Sequence, residues 1–338
     1  MEFLRRRLGL IIRVLVSVLL IAWLIRKINW SKFWEIVRNA DMYWLLAAFI
    51  CFVPVMFVTA WRWRMLLHVH GVRMRFWRIF ELNMIGQFFS AFLLGTTGGD
   101  VVKIFYVVRA VPDRKAAVGF TVVADRVIGM IALLLLGAVL ALPNLALLTS
   151  RHDTKVYTAV FYLFVLGGIV AAIGASIGPA LLTHPNIRAL VKRLPMAHRG
   201  TSIYAAYEKT ARAFWINFVA LVGSLPSHIC IIVMGWCILQ ALNLHPPLLV
   251  FGAIMAIVNM LIALPISLAG LGVREVLYVI FLGLVGIDPD HAAAFSLTYF
   301  TLNLGWSLVG GPFYFLYRHE THAPAPDVTQ VDPVFSQQ

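Results

Sequence analysis

Phe88-Phe89-Ser90-Ala91-Phe92-Leu93-Leu94-Gly95-Thr96-Thr97-Gly98-Gly99-Asp100-Val101-Val102-Lys103-Ile104-Phe105-Tyr106-Val107-Val108-Arg109 is an apolar run broken in its middle by glycine, threonine and charge. Lipid offers no partner for freed N–H and C=O groups, so irregular backbone at membrane depth must be buried in protein or line a wet cavity. The glycines permit a tight turn at 95–100. Asp100 is placed to cap the helix that follows, and Lys103 falls one turn later on the same face. As a helix the second limb, 101–110, is about 15 Å long, too short to cross a hydrocarbon core of ~30 Å. Two basic loops flank the segment: 61–78, with Arg62, Arg64, Arg73, Arg75 and Arg78, and 109–115, with Arg109, Arg114 and Lys115. Basic loops stay on the cytoplasmic side, so the chain enters and leaves by one face. The segment 79–110 is predicted to be a re-entrant helical hairpin.

The rest of the chain sets that hairpin among spanning helices. Only 13% of residues are charged and 61% are hydrophobic, whereas soluble domains carry roughly a quarter charged residues. Runs at 8–25, 43–60, 117–141, 156–182, 214–242 and 291–317 match the roughly 20 residues that a span requires. A second apolar region, 248–285, is broken at Pro265-Ile266-Ser267-Leu268-Ala269-Gly270-Leu271-Gly272, ahead of Val273-Arg274-Glu275. Its flanking loops lack basic residues: 243–247 has none, and 286–290 offers Asp288 and Asp290. It is predicted to be a hairpin from the outside, while loop 184–212 (Arg188, Lys192, Arg193, Arg199, Lys209, Arg212) joins the cytoplasmic set. Arg5, Arg6 and Arg7 precede the first run without a small-x-small cleavage site, the pattern of a retained signal-anchor.

The expected fold is an all-α integral membrane protein of about six spanning helices plus two re-entrant, glycine-interrupted hairpins. It occupies 1–318 with a Pro- and polar-rich disordered tail at 319–338. Both termini are expected on the cytoplasmic side of a bacterial inner membrane. Loop 26–42 should then be external although it holds Arg26, Lys27, Lys32 and Arg38; nearby Trp30, Trp34, Tyr43 and Trp44 suggest that it lies in the interface. The hairpins start about half the chain apart, each after a span opened by an aromatic residue, Trp44 or Trp215. If they enter from opposite faces, the halves are inverted repeats, and broken helices in matching positions point to a transport site.

A formal charge of +13 would suggest nucleic acid in a soluble protein, but the basic residues sit between spans and no nucleic-acid motif occurs. There they attract anionic headgroups, at ~1 kcal/mol per residue near the surface. No phosphate-binding Gly-x4-Gly-Lys-Ser/Thr, His-Glu-x2-His, paired Cys-x2-Cys or Gly-x-Ser-x-Gly occurs, and His68-x-His70 has no further ligands nearby. Neither cofactor, metal nor catalytic residue is expected. Cys51, Cys230 and Cys237 all fall within expected spans, which argues against a disulfide framework.

Asp125, Arg126, Arg274 and Glu275 are charges inside apolar segments, each costing ~2.5–3.5 kcal/mol near the bilayer centre. Adjacent helical residues point about 100° apart, so each is expected to need another partner. Cross-pairs of Arg126 with Glu275, or Asp125 with Arg274, would meet that need. Two readings stay open. The charges form a structural network, with Asn83 and Gln87 bonding helix to helix. Alternatively they form a headgroup path, in which Lys103, Arg126 and Arg274 neutralise phosphate while Asp100, Asp125 and Glu275 orient them or bind an amine. Asn83, Gln87, Thr97 and Ser267 would complete that path.

Gly98-Gly99-Asp100, Ala124-Asp125-Arg126-Val127 and Leu268-Ala269-Gly270-Leu271-Gly272-Val273-Arg274-Glu275 together resemble the transmembrane region of lysyl-phosphatidylglycerol synthases over about residues 8–317. This flippase-like region also occurs as stand-alone proteins. Members commonly show a Gly-Gly-Asp turn, a Glu-Arg-Val where this chain has Asp-Arg-Val, and a Gly-x-Gly-x-Arg-Glu turn. The resemblance implies movement of lipid across the bilayer: aminoacylated phosphatidylglycerol in the best-known members, and polyprenyl-linked sugars, hopanoids or cardiolipin among stand-alone relatives. No aminoacyl-transferase sequence accompanies the region here, so the chain is not expected to make an aminoacyl lipid itself. The expected partner is a membrane lipid with an anionic or phosphate-containing headgroup. The alternatives are an intramembrane lipid-modifying enzyme, with Asp100, Asp125 or Glu275 as general base, or a scaffold for a lipid- or glycan-synthesising enzyme.

Overall fold

The structure, a computed structural model, describes residues 30–92, 96–183, 201–263 and 272–320, and within them all regular structure is helical. The main helices are α1 (Trp30–Arg38), α2 (Met42–Ile50), α3 (Phe52–Val69), α4 (Phe76–Phe92), α5 (Thr96–Ala110), α6 (Lys115–Ala141) and α7 (His152–Thr183). They continue with α8 (Thr201–Arg212), α9 (Phe214–Val222), α10 (Leu225–Ala241), α11 (Leu248–Ala263), α12 (Val273–Leu282) and α13 (Pro289–Glu320). Four stretches among the described residues are long and apolar enough to cross a membrane: Met42–Val69, Pro112–Leu148, His152–Gly178 and Phe214–Ala241. The protein is a multi-pass, all-α membrane protein.

The expected span 291–317 falls within α13, whose length is ample but whose Ser296, Thr298, Thr301, Asn303 and Ser307 make it more polar than those four. The first expected run, 8–25, the tail 321–338 and the turn segments 93–95 and 264–271 lie outside the described residues.

Two of the four stretches are rods broken by proline. Proline removes an N–H and its ring clashes with the carbonyl four residues earlier. Pro54 lies four residues after Ile50, the last residue of α2, and Pro226 four residues after Val222, the last of α9. In the first turns of α3 and α10 the same prolines are tolerated, because those N–H groups have no intrahelical acceptor.

The break introduces a pattern that occurs twice. Broken rod α2–α3, helical pair α4–α5 and long helix α6 are followed, about 172 residues on (Met42 to Phe214, Phe76 to Leu248), by broken rod α9–α10, pair α11–α12 and long helix α13. The rods lie side by side and antiparallel. The Asp41 N–H, at the start of α2, donates to the Ala241 carbonyl at the end of α10 (2.9 Å). At the other end His70, after α3, meets Thr210, just before α9 (2.9 Å). Packing between the sets is reciprocal: α4 lies along α13, and α11 along α6. Along the first contact Arg78 stacks on Tyr317, Phe80 meets Phe313 and Gln87 reaches Ser307, so α4 and α13 also run antiparallel.

In lipid there is no hydrophobic force between helices, and close approach through small residues takes its place. A Cβ on Gly310 would lie 2.2 Å from the Met84 carbonyl, and one on Gly137 2.5 Å from Ala256. The short helix α11 is apolar all round and buried from Val250 to Val258, enclosed by α6, α7, α10 and α12, as such a helix must be.

One sequence expectation needs correction here. The helix opening at Phe52 does not stop at 60 but runs to Val69, so Arg62 and Arg64 are helical and only 70–75 connects to α4. The reason is visible in the site: the Arg62 charge is neutralised inside the protein.

Candidate functional site

Arg62 and Asp125 face each other across α3 and α6, 8% exposed each. Arg62 Nε donates to Asp125 Oδ1 (2.6 Å) and Nη2 to Oδ2 (3.0 Å), while Nη1 donates to Ser224 Oγ (2.8 Å) at the break between α9 and α10. The fork-to-fork geometry is the strong form of the ion pair. Gly129, one turn after Asp125, makes room: a Cβ there would sit 2.9 Å from the guanidinium.

Beside this pair lies a triad. Asp100 binds Lys103 (3.0 Å) on its own helix through one oxygen and Arg126 of α6 through the other. Lys103 also donates to Asn83 Oδ1 on α4 (3.2 Å) and lies 5.2 Å above the Trp63 ring. The two helices approach closely enough for this because Gly99 carries no side chain; a Cβ there would fall 2.1 Å from the Gly86 carbonyl and 2.3 Å from Ser90 Oγ. Asn83 is buried, yet its amide nitrogen has no hydrogen-bond partner among the described residues.

Pair and triad line a cavity of about 190 Å³, open on one side, together with Met56, Thr59 and Gln87. Its polar residues lie about seven to ten residues from the helix ends that carry the basic connections (Phe76 to Asn83, Arg62 to Val69, Asp100 to Ala110, Lys115 to Asp125). At 1.5 Å per residue that is roughly 10–15 Å, close to half of a ~30 Å hydrocarbon core.

The second half holds a smaller, closed cluster. Gly272 precedes α12 with φ +82°, and its N–H donates to Glu275 Oε2 (2.7 Å), the return half of a capping box whose other half glycine, with no side chain, cannot make. Glu275 Oε1 accepts from Arg274 Nη2 (2.7 Å) and from Ser296 Oγ (3.2 Å), and Arg274 Nε donates to that same hydroxyl (3.1 Å). Arg274 also lies 4.9 Å from the Phe300 ring.

These contacts correct three expectations. The cross-pairs do not form: both Asp125 oxygens are taken by Arg62, and both Glu275 oxygens by the turn, Arg274 and Ser296. Arg274 and Glu275 do neutralise each other, because in the first helical turn Glu275 folds back onto the cap and the long Arg274 side chain follows it. Asp100 is no N-cap; it lies inside α5, one turn past Thr96. Gln87 donates weakly to Ser307 Oγ (3.4 Å). Thr97 is in the first turn of α5 with its side chain outside the description, and Ser267 lies outside the described residues. Sequence reasoning missed Arg62, Ser224 and Ser296. The signal for Arg62 was an arginine between Trp61 and Trp63 at the end of an apolar run; the two serines carry none.

Residues 10–310 match the family described as the lysylphosphatidylglycerol synthase TM region. A UPF0104 membrane protein of Methanocaldococcus jannaschii is 21% identical over 296 residues, covering 85% of this chain and 88% of the relative. A UPF0104 membrane protein of Archaeoglobus fulgidus is 26% identical over 120 residues, 35% of each chain. No solved structure matches the chain.

Proposed function

The chain belongs to the lysylphosphatidylglycerol synthase TM region family, and from that premise we propose that it is a lipid translocase, moving a phospholipid or polyprenyl-linked lipid across the membrane through the charged cavity. The observation that carries this reading is a buried carboxamide N–H without a partner among the described residues, that of Asn83, beside Lys103 and Arg126 at mid-depth. Buried donors in native structures are nearly always satisfied, so an orphan on a residue that lines a cavity marks a place for an acceptor. An ionised phosphate supplies several acceptors, and cations and amides converging on one point suit it.

Helix register supports the expected path. Gln87 is level with Ser307, so α4 ends, at Phe92, opposite the middle of the 32-residue α13. Likewise α11 passes Leu140 at Gly252 and Gly137 at Ala256, and ends at Ala263 alongside the middle of α6. Hairpins turning back half-way from opposite faces, in antiparallel halves, would expose a headgroup to each side in turn. The basic residues at the ends of α5, α6 and α8 make that face the cytoplasmic one.

The lipid-modifying alternative requires a carboxylate free to take a proton. Asp100, Asp125 and Glu275 each have both oxygens engaged, which favours translocation. The test is transfer of a fluorescent anionic phospholipid by purified protein in vesicles. Wild type transfers it, whereas Asp100→Asn with Lys103→Met, folded and inserted, does not. Near-wild-type transfer by the double variant would reduce Lys103 to a structural partner of Asp100.

A further inference from the structure

The cavity walls carry three cations, Arg62, Lys103 and Arg126, against two carboxylates, Asp100 and Asp125. The corresponding cluster of the second half holds one of each, Arg274 and Glu275. The open site thus has one positive charge in excess and the closed site none. Nearby groups leave that excess standing: Glu81 on α4 is held by Arg78 (3.0 Å), and the His228 ring meets the Gly129 carbonyl (2.9 Å). In a low-dielectric surround an occupant with one negative charge balances the walls, while two charges overshoot and a positive one adds to the excess.

The open side has its own chemistry. Asp100 and Arg126 tie α5 to α6, and around that tie Val101 and Phe105 of α5 and Val123 and Val127 of α6 are all exposed. Arg126, 45% exposed, stands among them. The seam is an apolar surface around one cationic group, which fits a molecule with phosphate at one end and hydrocarbon at the other. The volume, about 190 Å³, is below the roughly 300–1,000 Å³ of pockets for drug-sized ligands. It suits a phosphate with a small substituent better than an oligosaccharide.

We infer that the occupant is a lipid phosphodiester with a single negative charge and a small uncharged head, its chains passing out through the α5–α6 seam. The phosphate oxygens accept from the Asn83 amide, Lys103 and Arg126. Phosphate monoesters carry about −1.5 to −2 at neutral pH, diphosphates at least as much, and an aminoacylated head adds positive charge; none balances the walls. The inference deepens the translocase reading and rests on it, but the two fail separately.

The experiment compares wild type and Arg126→Gln in vesicles with fluorescent phosphatidylglycerol, phosphatidate, phosphatidylcholine and lysyl-phosphatidylglycerol, with melting temperatures in micelles containing each lipid or inorganic phosphate. Phosphatidylglycerol should cross at least about tenfold faster than lysyl-phosphatidylglycerol, the scale of one charge-assisted hydrogen bond. Phosphatidate and phosphatidylcholine should fall between, and Arg126→Gln should abolish the preference. If Arg126→Gln does not fold, Lys103→Gln makes the same neutralisation. Equal rates for all four lipids, or lysyl-phosphatidylglycerol fastest, would overturn the phosphodiester assignment while leaving transport intact. If wild type moves no lipid, the translocase reading falls, and the melting arm decides: selective stabilisation by phosphatidylglycerol retains the site, and its absence removes it. Stabilisation by inorganic phosphate equal to that by phosphatidylglycerol would make a free anion the ligand and overturn the lipid assignment.

Discussion

Replacing Arg62 by Met keeps most of the side chain's apolar stem and removes its charge. Asp125 is then left enclosed with both oxygens stripped of their donors, at a depth that water reaches poorly. The two bonds from Arg62 to Asp125, 2.6 and 3.0 Å, are of the charge-assisted kind. At about 1.5–3 kcal/mol each they bracket about 3–6 kcal/mol, consistent with the ~3–5 kcal/mol lost when one member of a buried pair is removed. The double variant Arg62→Met with Asp125→Leu removes the stranded carboxyl. Apolar replacement of a buried pair is often neutral or stabilising, so it should recover to within about 1 kcal/mol of wild type. As a control, Arg212→Met breaks the exposed pair with Glu208 (66% and 31% exposed), where about 0–1 kcal/mol is expected. The assay is unfolding in mixed micelles by dodecyl sulfate, read by tryptophan fluorescence. A loss in Arg62→Met no larger than in Arg212→Met, or a double variant as unstable as the sum of its singles, would refute the claim that this pair is buried and mutually dependent.

Gly99→Ala should destabilise by about 1–3 kcal/mol through overpacking of α4 against α5, whereas Gly119→Ala, with nothing within 4 Å of the new Cβ, should be neutral or slightly stabilising; equal unfolding midpoints would refute the tight approach. Single cysteines at Asp113 and Lys209 in a cysteine-free background should react with an impermeant maleimide from one side, and those at Ser150 and Asp288 from the other; labelling of all four from one side would overturn the antiparallel arrangement. His70, just past the end of its span, bonds Thr210, and burial, followed by Lys209 and Arg114, holds its imidazole below the usual 6.5. Its neutral form is the folded one, so its contribution is complete above that unfolded value and is lost as pH falls through the lower folded one. Between pH 8 and pH 5 the melting temperature should therefore drop less in His70→Gln than in wild type, and parallel curves would refute the coupling.

Composition and apolar run length were enough to determine an α-helical membrane protein, because a hydrocarbon core imposes length and apolarity residue by residue. Glycine and proline marked the interruptions in 79–110 and 248–285, since their backbone effects are local, whereas the breaks ahead of Pro54 and Pro226 fall inside runs that read as single spans. The Gly-Gly-Asp, Asp-Arg-Val and Arg-Glu stretches led to the family that the chain belongs to. Which charge meets which was decided only by the fold. Arg62 read as a loop cation because hydropathy scores a residue alone, while its cost depends on Asp125, 63 residues away, and on the space left by Gly129. Arg274 and Glu275 looked unable to satisfy each other under ideal helical geometry, yet a helix start lets one side chain fold back onto the cap. The excess positive charge of one cluster and the neutrality of the other are likewise sums over helices far apart in the chain, which no local pattern records.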